Sequence, residues 1–240
     1  MTKVLCVGVH ADDTEYSIGG TIKLLADRGC DVTIVNTVPN GYGSEPAEIL
    51  GCKKIMLDYD GEKYAPGYKN NPESVKQLKE VIKDIKPDIL FMMYGTDTHM
   101  DHVECAKTAR EAQFLTGWDT YVNEIYSVEC GPLQTMRYFS PDGYICIDSV
   151  EEYVKKSFDC FDAPYLWGEK EGAARFRALE MATCCGNSPF ARSVKLAECF
   201  KIEKFPIGSS DFLLRKILED QFCWCSHRNY HVNAHPVFNS

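Results

Sequence analysis

The sequence predicts an α/β protein built on a doubly wound, mostly parallel sheet with helices on both faces. Short Val- and Ile-rich runs, helical periodicities between them, and brief connections carry that reading. Residues 3–9 form the first apolar run, the pattern of a strand covered on both sides. From Ser17, apolar residues at Ile18, Ile22, Leu25 and Ala26 fall at helical spacing until Gly29 stops them. Residues 31–38 read as a second strand and Pro39-Asn40-Gly41 as a turn. A short helix over 46–50 ends at Gly51, and 53–58 is a third strand. The stretch 60–72, rich in Gly, Tyr, Asn and Pro, reads as a surface loop. Val75, Leu78, Val81, Ile82 and Ile85 predict a helix over 72–85, ended by Lys86-Pro87 ahead of a fourth strand at 88–94. Further on, 122–130 and 143–147 read as strands, and 150–161, 169–185 and 210–222 as helices. No repeat or Ser/Gly linker divides the chain, so residues 1–240 read as a single domain.

Composition removes several classes of function. Apolar residues make up 45% of the chain and charged residues 25%, ordinary for a soluble domain. The net charge of −9, with no Lys/Arg run, excludes nucleic acid as an expected partner. No stretch approaches the ~20 apolar residues of a membrane span. The first residues lead straight into a strand with no signal-peptide pattern, so the expected location is cytoplasmic. Twelve scattered cysteines, several of them in apolar runs (Cys6, Cys30, Cys146), fit reduced, buried thiols.

Polar chemistry gathers where two strands end. His10-Ala11-Asp12-Asp13-Thr14-Glu15 follows the first strand, with Gly19-Gly20 beyond it. Gly95-Thr96-Asp97-Thr98-His99-Met100-Asp101-His102 follows the fourth. In a doubly wound sheet both junctions lie on the carboxyl edge, where ligands bind. Imidazoles and carboxylates there must be solvated, paired or metal-bound. A catalytic zinc takes three such ligands and leaves a position for water, whose pKa it lowers to about 7. A remaining carboxylate can serve as general base and a cationic group can receive an oxyanion. Spacing alone does not separate the role of Asp12 from that of Asp13. Gly8-x-His10 is no dinucleotide fingerprint, and NAD is not expected.

His10-Ala11-Asp12-Asp13 with Gly19-Gly20, and His99-Met100-Asp101-His102, resemble the two signature motifs of the PIG-L/LmbE-like zinc N-deacetylases, which read His-Pro-Asp-Asp and His-Pro-Asp-His. Glu15 and the run into Gly-Gly-Thr-Ile look most like the bacterial N-acetylglucosaminyl-malate deacetylases. Weaker matches follow in order: residues 48–52, 125–129, 141–148 and 197–200. The resemblance implies a Rossmann-like fold and one catalytic zinc held by His10, Asp13 and His102. It further implies Asp12 as general base and His99 as the group that stabilises the oxyanion or protonates the amine. Asp101 would orient a histidine. The implied reaction removes an acetyl group from an N-acetyl amino-sugar conjugate, and the implied assembly is a homo-oligomer, a trimer or hexamer.

Ala11 and Met100 stand where the motifs carry prolines, and residues 39–48 and 57–61 lack arginines common in relatives, so the resemblance leaves the acceptor open. The rival reading is a non-catalytic or regulatory binding protein that keeps the fold. Cys223-Trp224-Cys225-Ser226-His227 with His231 and His235 has metal-binding residue types without structural-zinc spacing, and reads first as a packed tail. Cys184-Cys185 reads as helix interior. Tyr64, Tyr68, Trp118 and Trp167 are candidates either for a sugar pocket or for core packing.

Overall fold

The computed structural model describes residues 1–38, 43–58, 67–117, 122–131, 139–185, 188–204 and 212–225. The turn expected at Pro39-Asn40-Gly41, most of the 60–72 loop, Tyr64, Trp118 and the tail with His227, His231 and His235 lie outside them.

Five parallel strands form the body of the sheet: β1 (Lys3–Gly8), β2 (Asp31–Asn36), β3 (Lys53–Met56), β4 (Ile89–Met93) and β5 (Glu124–Val128). Three antiparallel strands extend it: β6 (Gly143–Cys146), β7 (Ala197–Lys204) and β8 (Phe222–Trp224). The spatial order is β3-β2-β1-β4-β5-β7-β6-β8. Alternate residues of β1 feed two different cores, because strand side chains alternate between faces. Val4 and Cys6 pack with Ile22 and Leu25 of α1 (Asp13–Asp27), Leu50 of α2 (Glu45–Leu50) and Val154 of α5 (Glu151–Phe158). Leu5 and Val7 pack with Leu78 and Ile82 of α3 (Pro72–Ile85) and Ala106 and Ala109 of α4 (Met100–Leu115). Helices therefore cover both faces, as the apolar runs predict. A third cluster lies under α6 (Leu166–Cys184) and α7 (Pro189–Ser193).

Local chemistry accounts for several ends. Asn71 caps α3 by accepting from the Ser74 N–H while the Ser74 hydroxyl accepts from the Asn71 N–H. Gly51, at φ 81°, supplies the left-handed residue that closes α2. The helix expected from Ser17 begins earlier, at Asp13, and breaks at Ile18 (φ −139°, ψ 30°). That break would strand the N–H groups of Gly20 and Thr21, since an unbroken helix bonds each to the carbonyl four residues back. Glu198 of β7 accepts both, at 2.9 and 2.7 Å. Lys170 of α6 pairs with Glu198 at 2.6 Å and donates to the Ser17 carbonyl at 3.3 Å. A buried ion pair thus stands in for the missing turn.

The antiparallel half differs most from expectation. β7 has no counterpart among the predicted strands, and the helix expected over 210–222 is, in the described part, α8 (Leu213–Ile217) followed by β8. Tyr68 is buried in the second core and Trp167 packs on the first, so both are packing residues rather than pocket walls. Among the described residues no helix is long and apolar enough to cross a membrane.

Candidate active site

β1 is flanked by β2 and β4, so the strand order reverses there, and the two motifs occupy the carboxyl ends of β1 and β4. This switch point is where an open α/β sheet leaves a crevice. Gly8 lets the turn close tightly, since a Cβ on it would sit 3.0 Å from that of Asp13. The Asp13 carboxylate faces back and accepts the N–H of Val9 at 2.9 Å and of His10 at 2.7 Å. Two other strands steady the turn. The Asn36 side-chain amide donates to the His10 carbonyl. Lys54 donates to the Ala11 carbonyl at 2.7 Å and to Glu15 at 2.8 Å, a pair only 1% and 0% exposed. A proline at position 11 would pre-set this backbone; here buried hydrogen bonds hold it.

The second motif opens α4. His99 is the N-cap, its Nδ1 accepting the Asp101 N–H at 3.3 Å. The first turn of α4 carries His102 inward, where it is 2% exposed. His102 Nε2 lies 3.4 Å from Asp13 Oδ1, and His10 Nδ1 lies 3.4 Å from Asp13 Oδ2. The opposite nitrogen of each ring is held by a carboxylate: His10 Nε2 donates to Asp101 at 3.3 Å, and His102 Nδ1 to Asp97 at 3.0 Å. Those outer bonds leave both inner nitrogens with lone pairs aimed at the Asp13 carboxylate. Such an arrangement calls for positive charge between them, either protons or a cation. Carboxylate–histidine pairs of this kind orient metal-ligating imidazoles. The donor atoms of His10, Asp13 and His102 lie within 4.8 Å of one another, so the residues fit a divalent ion.

His10, His99 and Asp101 form a second group of the same span. It is the weaker candidate: His99 is exposed, and Asp101 is already engaged by His10 and by the Tyr68 N–H at 3.1 Å.

Without an ion, charge does the same work. Burial alone would raise the Asp13 carboxyl, but the bonds from His10 and His102 outweigh it and hold the group well below the usual carboxylate range. Burial would lower His102, yet Asp13 and Asp97 push it up to about 10. His10 is raised for the same reason, with Asp13 overcoming burial. Burial and repulsion from His102 and His10 set His99 below its ordinary value, which favours the neutral ring. Asp12 occupies the N-cap position of α1 without capping it, and burial with the neighbouring Asp13 charge raises its pKa.

These residues line a cleft of about 550 Å³, within the range of small-ligand sites. Its remaining described walls are Tyr16, Cys130, Gly131, Leu166 and Glu169. The structure thus brings together His10, Asp12, Asp13, His99, Asp101 and His102. Asp97 is the residue that spacing missed. Its signal is a carboxylate two residues before one histidine and five before the other, in a strand-to-helix turn. Tyr16, Leu166 and Glu169 carry no pattern of their own and reach the cleft through packing of α1 and α6.

Comparison with known proteins matches residues 5–113 to the family model described as PIG-L, GlcNAc-PI de-N-acetylase. Both motifs fall inside that stretch. Diacetylchitobiose deacetylase of Thermococcus kodakarensis is 31% identical over 138 residues, covering 48% of this chain and 50% of that protein. The chain spans about half the length of the curated relatives it matches. Among solved structures, 4-carboxy-2-hydroxymuconate hydratase (GalB) of Pseudomonas putida KT2440 has a TM-score of 0.72 at 20% identity, covering 88% of this chain and 100% of that one. N,N'-diacetylchitobiose deacetylase of Pyrococcus horikoshii has a TM-score of 0.63 at 21% identity, covering 84% and 83%. These two likenesses establish the fold, which carries both a hydratase and a deacetylase.

Proposed function

We propose that this chain is a zinc-dependent hydrolase that removes the acetyl group from an N-acetylated amino sugar of the N-acetylglucosamine type, or from a conjugate of one. Asp12 carries the reading: a carboxylate of raised pKa, free of helix-capping duty, in a cleft beside a His–Asp–His donor set. A protein that only bound sugar has no use for a base there, which argues against the non-catalytic reading. Family descriptions and the Thermococcus relative's name concern N-acetyl amino sugars, and they supply the substrate class.

His10, Asp13 and His102 would hold the ion. Held there, zinc would supply a polarised amide carbonyl and a water of pKa about 7. Asp12 accepts the proton of the attacking water, its raised pKa making it a stronger base than an ordinary carboxylate. His99, with Nδ1 engaged by the Asp101 N–H, donates from Nε2 to the oxyanion as it develops. Asp101 and Asp97 keep the two ligand rings in their tautomers. Asp12 then returns its proton to the nitrogen as the C–N bond breaks, giving acetate and a free amine.

Asp12, Asp13 and Glu169 line the cleft, and no lysine or arginine does so among the described residues. This wall favours an uncharged acceptor over one bearing phosphate or carboxylate. The proposal treats residues 1–240 as one domain of a cytoplasmic homo-oligomer, a trimer or hexamer.

Acetate release from a panel of N-acetylhexosamine conjugates tests the reading. Neutral N-acetylated oligosaccharides should be hydrolysed faster than malate or phosphate conjugates. Asp12→Asn should keep the zinc and lose about 10²–10⁴-fold in kcat. Absence of acetate across the panel, or near-normal turnover by Asp12→Asn, would reject it.

A further inference from the structure

Two cysteine motifs far apart in the chain meet away from the cleft. α6 ends at Cys184, with Cys185 as its C-cap. In the sheet, Tyr144 of β6 is the register partner of Cys199 on one side and of Cys223 on the other. Cross-strand partners share a face, so these three side chains point the same way. A period of two carries Cys225, just past β8, to that face as well. The end of α6 covers it: Tyr144, Cys199 and Cys225 cluster with Ala178 and Met181, and Cys184, Cys185 and Cys223 pack against them.

Within this cluster the side chains of Cys185 and Cys223 hydrogen-bond to each other. Both residues are half-buried, as is Cys184, whereas Cys199 and Cys225 are buried, so small solutes reach the hydrogen-bonded pair. A thiolate metal cage is the obvious alternative. Among the described residues, however, the groups compact enough to hold an ion are the two that share His10, and no set of these thiols is among them. The geometry is that of a pair.

We propose that Cys185 and Cys223 are an oxidation-sensitive thiol pair, closing to a disulfide that ties the end of α6 to β8. The bond from Cys185 lowers Cys223, and the same bond together with burial raises Cys185, so Cys223 is the more readily ionised of the two and Cys185 the donor. With hydrogen peroxide as oxidant, the Cys223 thiolate attacks one oxygen and the O–O bond breaks. The other oxygen leaves as hydroxide, and Cys223 becomes a sulfenic acid. The Cys185 sulfur then attacks the Cys223 sulfur. Its S–O bond breaks, and the departing hydroxide takes the Cys185 proton as water. In sum, two thiols lose two electrons and two protons, and one peroxide becomes two waters. The crosslink is independent of the zinc site, although it fastens the far end of the helix whose first residues, Leu166 and Glu169, line the cleft.

The test treats the full chain, freshly reduced, with hydrogen peroxide, then alkylates it and maps its peptides without reduction. Expected is the loss of two of the twelve thiols and one linked peptide pair, with fragment ions assigning the bond to Cys185 and Cys223 and dithiothreitol reversing it. Cys185→Ser and Cys223→Ser should each abolish the link, and Cys160→Ser should leave it in place. The wild-type map decides the matter even where a serine variant folds poorly. A link through Cys184 or Cys225, oxidation of Cys223 beyond the sulfenic acid with Cys185 still alkylated, or no loss of thiols would overturn the proposal.

Discussion

At the scale of single residues, Asp13 is the hinge of the account. It takes two backbone N–H groups of its own turn and faces two imidazoles, each braced from behind by another carboxylate. Bracing predicts an effect at a distance from any ligand atom. Asp97→Asn should leave the fold intact yet weaken zinc binding by about 10–100-fold in a chelator competition; unchanged affinity would remove Asp97 from the site. The same contacts predict a pH effect in the metal-free protein. His102 moves from an ordinary 6.5 to about 10, a raised folded-state value. Its contribution to stability is therefore complete below 6.5 and lost as pH climbs through about 10. The thermal midpoint of chelator-treated protein should fall over that window, and His102→Asn should flatten the fall. Much of this candidate site was legible in the sequence, because the residues proposed as ligands and base are consecutive or nearly so. Asp97 was not, since its role depends on which way the His102 ring turns. Nor was Lys54, which acts through the Ala11 carbonyl from another strand.

At the scale of elements, α1 shows how a glycine pair and a distant acid cooperate. Gly20 lies against Ile147, with a Cβ there 2.5 Å from Cγ2, while its N–H goes to Glu198. Gly20→Ala should cost about 1–3 kcal/mol through overpacking. Glu198→Gln, which leaves Lys170 buried against a neutral partner, should cost more, about 3–5 kcal/mol. Denaturant unfolding measures both; equal or negligible losses would mean that the ion pair does not hold the break. Glu198 also explains why β7 escaped a reading by pattern. Ala197, Glu198, Cys199 and Phe200 are all buried, so the first half of the strand has no polar face, and its acid is inward because α1 needs an acceptor. β8 was hidden differently. Phe222–Trp224 is a strand because β6 offers it an edge, a partner that no local window contains.

At the scale of the whole molecule, the parallel half was readable and the antiparallel half much less so. Strands β1 to β4 announce themselves as apolar runs joined by amphipathic helices, and right-handed parallel winding then leaves few ways to order them. The site follows from that order, because β1 and β4 meet at the reversal. Fold alone does not choose the reaction, since the likenesses include a hydratase as well as a deacetylase. The choice rests on which residues stand at the rim. The most direct test of that placement is a zinc-edge anomalous map from crystals of the full chain grown with the metal. The account predicts one strong peak bounded by His10, Asp13 and His102, with Asp12 at its open side. An empty position among those three residues, or zinc bound elsewhere with that cleft vacant, would contradict it.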